Sequence, residues 1–495
     1  DPSAVQPENR RHPEPVAVRI RCRSQHLITI ETRRDRVIAQ HVHQRIGLRH
    51  RLHPIKIEGV DISEMAEHVV ELRGRRLQRR IIKIEAGETT CEAVTAACLD
   101  RIDERESQVD AWIYLNREQA LADARAIDRG PTGGLIRGVP LGVKDIIDTK
   151  DMPTGHGSPI HTENRPDYDA PCVAMCRAAG GLILGKTVTS EFAHLYPGKT
   201  KNPHNPAHSP AGSSSGSGAA VADCMVPVAF GTQTGGSIVR PAAFNGCIGY
   251  KPSYGDYNPL GVHDNTRSVD TLGMLSRTME DQALLRAVVM GIPYKPIETP
   301  AISDLKIGLC RTPHWKEADD TTQEHIEGAA QRLSEAGADV SDFDLPEGFD
   351  ALEHAFDVVS AFEFARALAY EWHNFRDQLS ERVVESRLNL GWRVTYAEYR
   401  AGIAALQNYR NRFFASFEGY DLLVTPSANG EAPADLTTIG QAHFNRVWTA
   451  LYAPGISLPL FTGKRGLPIG LQVIGQLGDD ERFLDAADSV YRTLG

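Results

Sequence analysis

Residues 211–240 read AGSSSGSGAAVADCMVPVAFGTQTGGSIVR. Glycine and serine recur there as they do where a backbone must come close to a reacting carbonyl. Ser237 follows Thr234-Gly235-Gly236, a run able to turn successive N–H groups toward an oxyanion. The stretch is read as a nucleophile beside its oxyanion hole.

Composition excludes several classes of protein. The 495 residues, 41 % hydrophobic and 24 % charged, suffice for one large core or two domains and argue against global disorder. No window holds the roughly 18 consecutive apolar residues of a spanning helix, and no charged region followed by an apolar stretch and a cleavage site opens the chain. No membrane partner is therefore expected, and the cytoplasm is the expected address. Eight cysteines in so long a chain are too sparse for a disulfide framework and fit a reducing compartment. Cys172 and Cys176 share a helical face in PCVAMCRAAGG, but no second Cys/His pair at zinc-finger spacing accompanies them. They are read as packing residues, and no metal is expected.

Charge is uneven along the chain. Residues 1–80 carry 17 Lys+Arg against 10 Asp+Glu, a net of +7 that leaves −17 on the remaining 415 residues. The first segment also holds 7 of the 18 histidines and shows scattered β-like runs without a sustained period. It lacks aromatic residues for base stacking and any reader motif, so no nucleic-acid partner is expected. Residues 1–78 are read as a basic, poorly ordered extension, and the start at Asp1 rather than Met as an incomplete or unusual N-terminus.

From about residue 81 helix and strand patterns alternate. In GETTCEAVTAACLDRIDERESQVDAWIYL, Thr89 or Thr90 serves as N-cap, and Val94, Cys98 and Ile102 share one helical face before a strand. IRGVPLGVKDIIDTKDMP reads as a strand leading into a loop, and YDLLVTPS, GISLPLF and LPIGLQVIG read as late apolar strands. The expectation is an α/β fold: one large domain over 79–495, with a mixed, mostly buried sheet covered by helices on both faces. A helical insert at about 351–417 is expected to cover a pocket.

A serine becomes a nucleophile only when a base takes its proton. His204 and His208 lie nearby, and Gly212-Ser213-Ser214-Ser215-Gly216 formally matches G-x-S-x-G. That elbow requires a strand just before the serine, whereas Asn, Pro, His and Ala precede it here. The other base is Lys144, at the end of the apolar run GVPLGVKD. Burial disfavours the ammonium and can lower a lysine pKa of about 10.4 by several units. Cys247, in the apolar NGCIGY, lacks the partners of a thiol nucleophile.

Taken together, GVPLGVKD, AGSSSGSGAAVAD and GTQTGGSIVRPA resemble the amidase signature family of serine hydrolases. The likeness runs from about residue 81 to the C-terminus and includes SVDTLG at 268–273 and GLPIGLQVIG at 466–475. It implies Ser237 as nucleophile, Ser213, on a cis peptide with Gly212, as bridging serine, and Lys144 as base. The backbone N–H groups of Gln233, Thr234, Gly235 and Gly236 would form the oxyanion hole. Lys144, neutral, would take a proton from Ser213 as Ser213 takes one from Ser237. The implied activity is hydrolysis of a small-molecule amide through an acyl-enzyme, with no cofactor. A glutaminase-like subunit of a tRNA-dependent amidotransferase and a catalytically silent binding module of the same fold are the alternatives, and a homodimer stays open.

Several positions keep two readings. Arg240 either meets a substrate carboxylate bidentately or fixes the surrounding loops. Ser214 and Ser215 either bond the lysine or hold the loop. Asp145, Glu191 and Trp448 are pocket or support residues. Two positions depart from the commonest family pattern: Ala211 stands where glycine is usual, and Gln233 where an acidic residue often stands. An uncharged residue beside the oxyanion hole sets the chain apart from the transamidase subunits.

Overall fold

The computed structural model describes residues 17–21, 27–31, 56–57, 60–61 and 77–495. The chain divides into two units, Asp1–Leu72 and Arg73–Gly495. In the first, Ala17–Arg21 pairs antiparallel with Leu27–Glu31, and Lys56–Ile57 with Val60–Asp61. Most of the segment expected to be poorly ordered lies outside the described residues. A helix at Leu77–Glu85 crosses the expected boundary at residue 78, and its Ile81 and Ile84 are buried.

The second unit is built on one mixed sheet of eleven strands. In chain order these are β1 (Trp112–Leu115), β2 (Pro140–Lys144), β3 (Leu182–Thr187), β4 (Val228–Gln233), β5 (Ile248–Lys251) and β6 (Thr271–Ser276). They are followed by β7 (Lys306–Leu309), β8 (Asp339–Asp342), β9 (Leu422–Pro426), β10 (Gly455–Thr462) and β11 (Pro468–Ile474). The spatial order is β8-β7-β9-β11-β10-β5-β6-β4-β2-β3-β1. β2 runs parallel to both β3 and β4, whereas β6 is antiparallel to β4 and β5. Every residue of β2, β3 and β4 is buried, as expected of strands with both faces covered.

Local signals account for the helices that matter to the site. Helix α1 (Cys91–Val109) starts at Thr90, whose side chain accepts from the Ala93 N–H, and it buries Val94, Cys98 and Ile102. Helix α2 (Pro171–Ala178) has Pro at its first position and buries Cys172 and Cys176. Helix α3 (Ser215–Ala222) is all Ser, Gly, Ala and Val. It lies so deep that a Cβ at Gly216 would meet the Ala111 carbonyl oxygen at 2.2 Å.

Helix α4 (Val239–Asn245) follows the glycine loop directly. Helices α5 (Leu352–Ala367) and α6 (Tyr396–Phe417) frame the helical 351–417 segment. Their Phe356, Phe413 and Phe417 form an apolar cluster with Trp448 of helix α7 (His443–Ala450). Among the described residues no helix is long and apolar enough to cross a membrane.

Candidate active site

Lys144 ends β2 with its side chain fully buried. Its Nζ lies 2.7 Å from Ser213 Oγ and 2.7 Å from Thr232 Oγ1. Burial holds its pKa well below that of an ordinary lysine, and the charge of Asp270 opposes only part of that shift. The amine therefore sits between two hydroxyls in a place that disfavours its charged form.

Parallel pairing of β2 with β4 carries Thr232 to the lysine. The Gly212–Ser213 peptide is cis, and the Ser213 carbonyl accepts from the Ser190 N–H at 3.2 Å. The next amide, Ser214 N–H, donates to the Ser237 carbonyl at 3.4 Å. The two serine loops are thus joined backbone to backbone. The Ser214 hydroxyl itself exchanges bonds with the Thr232 backbone at 3.3 Å, and Ser215 Oγ donates to the Val188 carbonyl at 3.3 Å. Both serines hold the loop.

The glycine loop is fixed from outside. Gln233 Oε1 accepts from the N–H groups of Ile238 and Val239 at 2.9 and 3.1 Å, which closes the turn through Ser237 into α4. Thr449 Oγ1 donates to the Gly235 carbonyl at 3.0 Å. Because the carbonyl and N–H of a trans peptide point opposite ways, this grip turns the Gly236 N–H to the other side. A Cβ at Gly236 would lie 2.3 Å from Asn445 Oδ1, so no other residue fits there. Thr234 Oγ1 donates to the Asp270 carboxylate, which also accepts from the N–H groups of Asn265 and Thr266 at 2.7 Å. Burial pushes the Asp270 pKa up to about 6.

Arg240 is 2 % exposed and donates through Nη2 to the Gly212 carbonyl at 2.7 Å. Its Nε and Nη1 are buried without partners. Burial and the charge of Arg446 push its pKa down to about 9. Trp448 turns into the apolar cluster beside Phe413, and its neighbour Thr449 is the residue that touches Gly235. Asp145 pairs with the buried Lys186 at 3.3 Å, and Glu191 accepts from Ser158 Oγ and the Ser380 N–H. His204 faces the Asn245 carbonyl, so it is engaged away from the serines. The Cys247 thiol, pushed up by burial to about 12, stays protonated, as does that of Cys172.

Thr232 and Asp270 lie inside the quoted motifs but have no role in the motif reading, and Thr449 and Arg387 lie outside those motifs. Arg387 sits in a π-helical turn, Val384–Leu388, a distortion frequent at functional sites. Its Nη1 donates to Asn265 Oδ1 at 3.0 Å. Burial and, again, the charge of Arg446 push its pKa down to about 10. Arg240 and Arg387 thus both feel the charge of Arg446. Among the described residues, His314, Glu317 and His443 bring one potential ligand atom each within 4.8 Å of one another, and none of them bonds Lys144, Ser213 or Ser237.

The sequence profile of the Amidase family matches residues 93–484. The chain is 31 % identical over 460 residues to the A-type subunit of the glutamyl-tRNA(Gln) amidotransferase of Alkaliphilus metalliredigens (strain QYMF), covering 82 % of this chain and 94 % of that one. The corresponding protein of Geobacter sp. (strain M21) is 32 % identical over 463 residues, covering 83 % and 95 %. A solved structure described as an amidase superposes with a TM-score of 0.77 at 28 % identity, covering 85 % of this chain and all of the other. Gln233 therefore does not set the chain apart from the amidotransferase proteins as widely as its lost charge suggests.

Proposed function

Because the chain belongs to the Amidase family, we propose that it hydrolyses a carboxamide through an acyl-enzyme on Ser237, with Ser213 relaying protons to a neutral Lys144. The observation that carries this reading is the buried Lys144 amine 2.7 Å from Ser213 Oγ. Thr232 Oγ1 takes one amine N–H, which leaves the lone pair for the Ser213 proton. Ser237 Oγ adds to the carbonyl carbon as its proton passes to Ser213 and that of Ser213 to Lys144. The tetrahedral oxyanion is met by the N–H groups of the 233–236 loop. The C–N bond then breaks, and the same relay run backwards protonates the leaving ammonia or amine. Water, deprotonated by the relay, releases the acid.

The substrate class is an amide whose acyl part carries a carboxylate. Among the described residues Arg240 keeps its Nε and Nη1 without partners and Arg387 makes no ion pair at bonding distance. Burial and then the charge of Arg446 lower the pKa of both, against the opposing charges of Asp357 and Asp270 at Arg387. A substrate carboxylate relieves that repulsion. Labelling by a fluorophosphonate, lost in Ser237→Ala, tests the nucleophile and separates an enzyme from a silent binding module. Hydrolysis of aliphatic, aryl and dicarboxylic monoamides tests the acyl preference.

A second reading rests on the amidotransferase relatives: the chain would release ammonia from glutamine for an amidotransferase and require partner chains. Glutamine is itself a carboxylate-bearing amide, so both readings use the same arginines. Ammonia release from glutamine, measured with and without an acceptor, separates them.

A further inference from the structure

Two histidines and a glutamate meet far from the serine relay in sequence. The loop after β7 makes a short 3-10 turn, Trp315–Glu317, which sets His314 and Glu317 three residues apart on one side. His443 is the first residue of α7. One nitrogen of each histidine and one oxygen of the glutamate all lie within 4.8 Å of one another. His314 Nδ1 is 2.8 Å from Glu317 Oε1, and the other carboxylate oxygen, Oε2, faces His443 Nδ1. The imidazoles stack with centroids 4.8 Å apart and planes 24° apart.

His443 Nδ1 faces Glu317 Oε2, the second oxygen of the carboxylate that His314 Nδ1 also meets. Three ligand atoms that converge in this way offer a cation a shared site. Two imidazole nitrogens and one carboxylate are the donor set of a three-ligand zinc site.

The surroundings fit as well. A metal-bound histidine commonly directs its other nitrogen at a carboxylate. His314 Nε2 lies 3.2 Å from Glu353 Oε1, and Glu353 is flanked by Arg446 at 3.9 Å.

We propose that His314 Nδ1, Glu317 and His443 Nδ1 bind a divalent transition cation of the Zn²⁺ type, which ties the loop after β7 to the start of α7. The ion is structural. Its consequence reaches the glycine loop because α7 carries Asn445 and Thr449, which pack against Gly236 and hold Gly235. Imidazole nitrogen and carboxylate oxygen favour Zn²⁺ or Co²⁺ over Mg²⁺ or Ca²⁺.

The test uses the full chain, stripped with a chelator and titrated with Zn²⁺ by calorimetry while thermal unfolding is followed. Histidines elsewhere also take up metal, so the reading is the difference between proteins. His443→Ala and Glu317→Gln are each expected to bind one equivalent fewer than the parent and to lose the rise in melting temperature on adding Zn²⁺. His325→Ala, outside the cluster, keeps both. Unchanged stoichiometry in the two cluster variants would show a proton-bridged ion-pair cluster and overturn the proposal. If either variant fails to fold, Co²⁺ added to the parent decides: intense visible bands of a four-coordinate ion support the site, and only the weak spectrum of an octahedral ion overturns it.

Discussion

Gln233 Nε2 donates to Thr449 Oγ1 at 3.0 Å, across 216 residues of chain. Thr449 passes its own proton to the Gly235 carbonyl, while Gln233 Oε1 receives the N–H groups of Ile238 and Val239. A glutamate at 233 would take the Thr449 proton for itself and release Gly235. The amide side chain is thus matched to the threonine it meets.

Replacing Gln233 by Leu should orphan two buried N–H groups, at about 1–3 kcal/mol each. The expected outcome is a lower melting temperature together with a lower kcat. Gln233→Glu should keep most of the stability and lose kcat through the freed Gly235 carbonyl. Thermal unfolding and steady-state kinetics on the two variants check this, and a Gln233→Glu enzyme with parental kcat would remove the role given to Thr449.

Ser237→Ala should abolish acyl-enzyme formation, while Ser213→Ala and Lys144→Ala should each lower turnover by roughly 10³-fold or more with the fold intact. The double variant should be little worse than either single one, because the groups act as a unit. Mass spectrometry of the trapped adduct and single-turnover rates give the answer.

Burial lowers the Lys144 pKa in the folded chain, whereas the unfolded chain has an ordinary lysine, so the unfolded state binds more protons. Its burial therefore costs stability at neutral pH, and that cost shrinks as pH rises toward about 10.4. The melting temperature of the parent should climb relative to Lys144→Met as pH is raised from 7 to 10. Turnover should fall on the acid side as the amine gains its proton. A stability difference that does not move with pH would mean that the lysine is charged in the folded chain.

Arg387→Gln should weaken kcat/KM for a dicarboxylic monoamide by roughly 10- to 100-fold, the range of one hydrogen bond to a charged group. Turnover of an uncharged amide should change little. Equal losses on both substrates would show that Arg387 serves only to hold Asn265.

A chain beginning at Arg73, ahead of the Leu77–Glu85 helix, should keep the kcat and KM of the full chain. Insolubility or inactivity of that truncation would mean that the first 72 residues pack against the catalytic unit.

The sequence was most legible where chemistry forces residue identity. Lys144, Ser213 and Ser237 lie in three short motifs, and the structure brings the ends of those motifs together. The α1 helix was legible too, because its N-cap and its apolar face are local features. The sheet order was not: β5 lies beside β10, some two hundred residues later, and nothing local encodes that pairing. Asp270 stood inside the recognised SVDTLG stretch, yet its bond to Thr234 depends on the antiparallel register of β6 with β4. Arg387 and Thr449 lie in segments without any motif, and only the fold carries them to the loops around Ser213 and Ser237. Of the two readings of Arg240, its bond to the Gly212 carbonyl is the loop-fixing one, and the sequence could not say which carbonyl it would reach.

Helix α3 has no side chain larger than valine and is walled in on every side, so it has almost no mutational freedom. The arginines Arg387 and Arg446, by contrast, belong to a turn and a helix more than a hundred residues away. The two arginines proposed to meet the substrate carboxylate are thus split, with Arg240 beside Ser237 in the chain and Arg387 far from it. A library confined to residues 351–442 varies Arg387 while leaving untouched both residues 211–240, 30 of the chain's 495, and the Asn445 and Thr449 that hold the glycine loop.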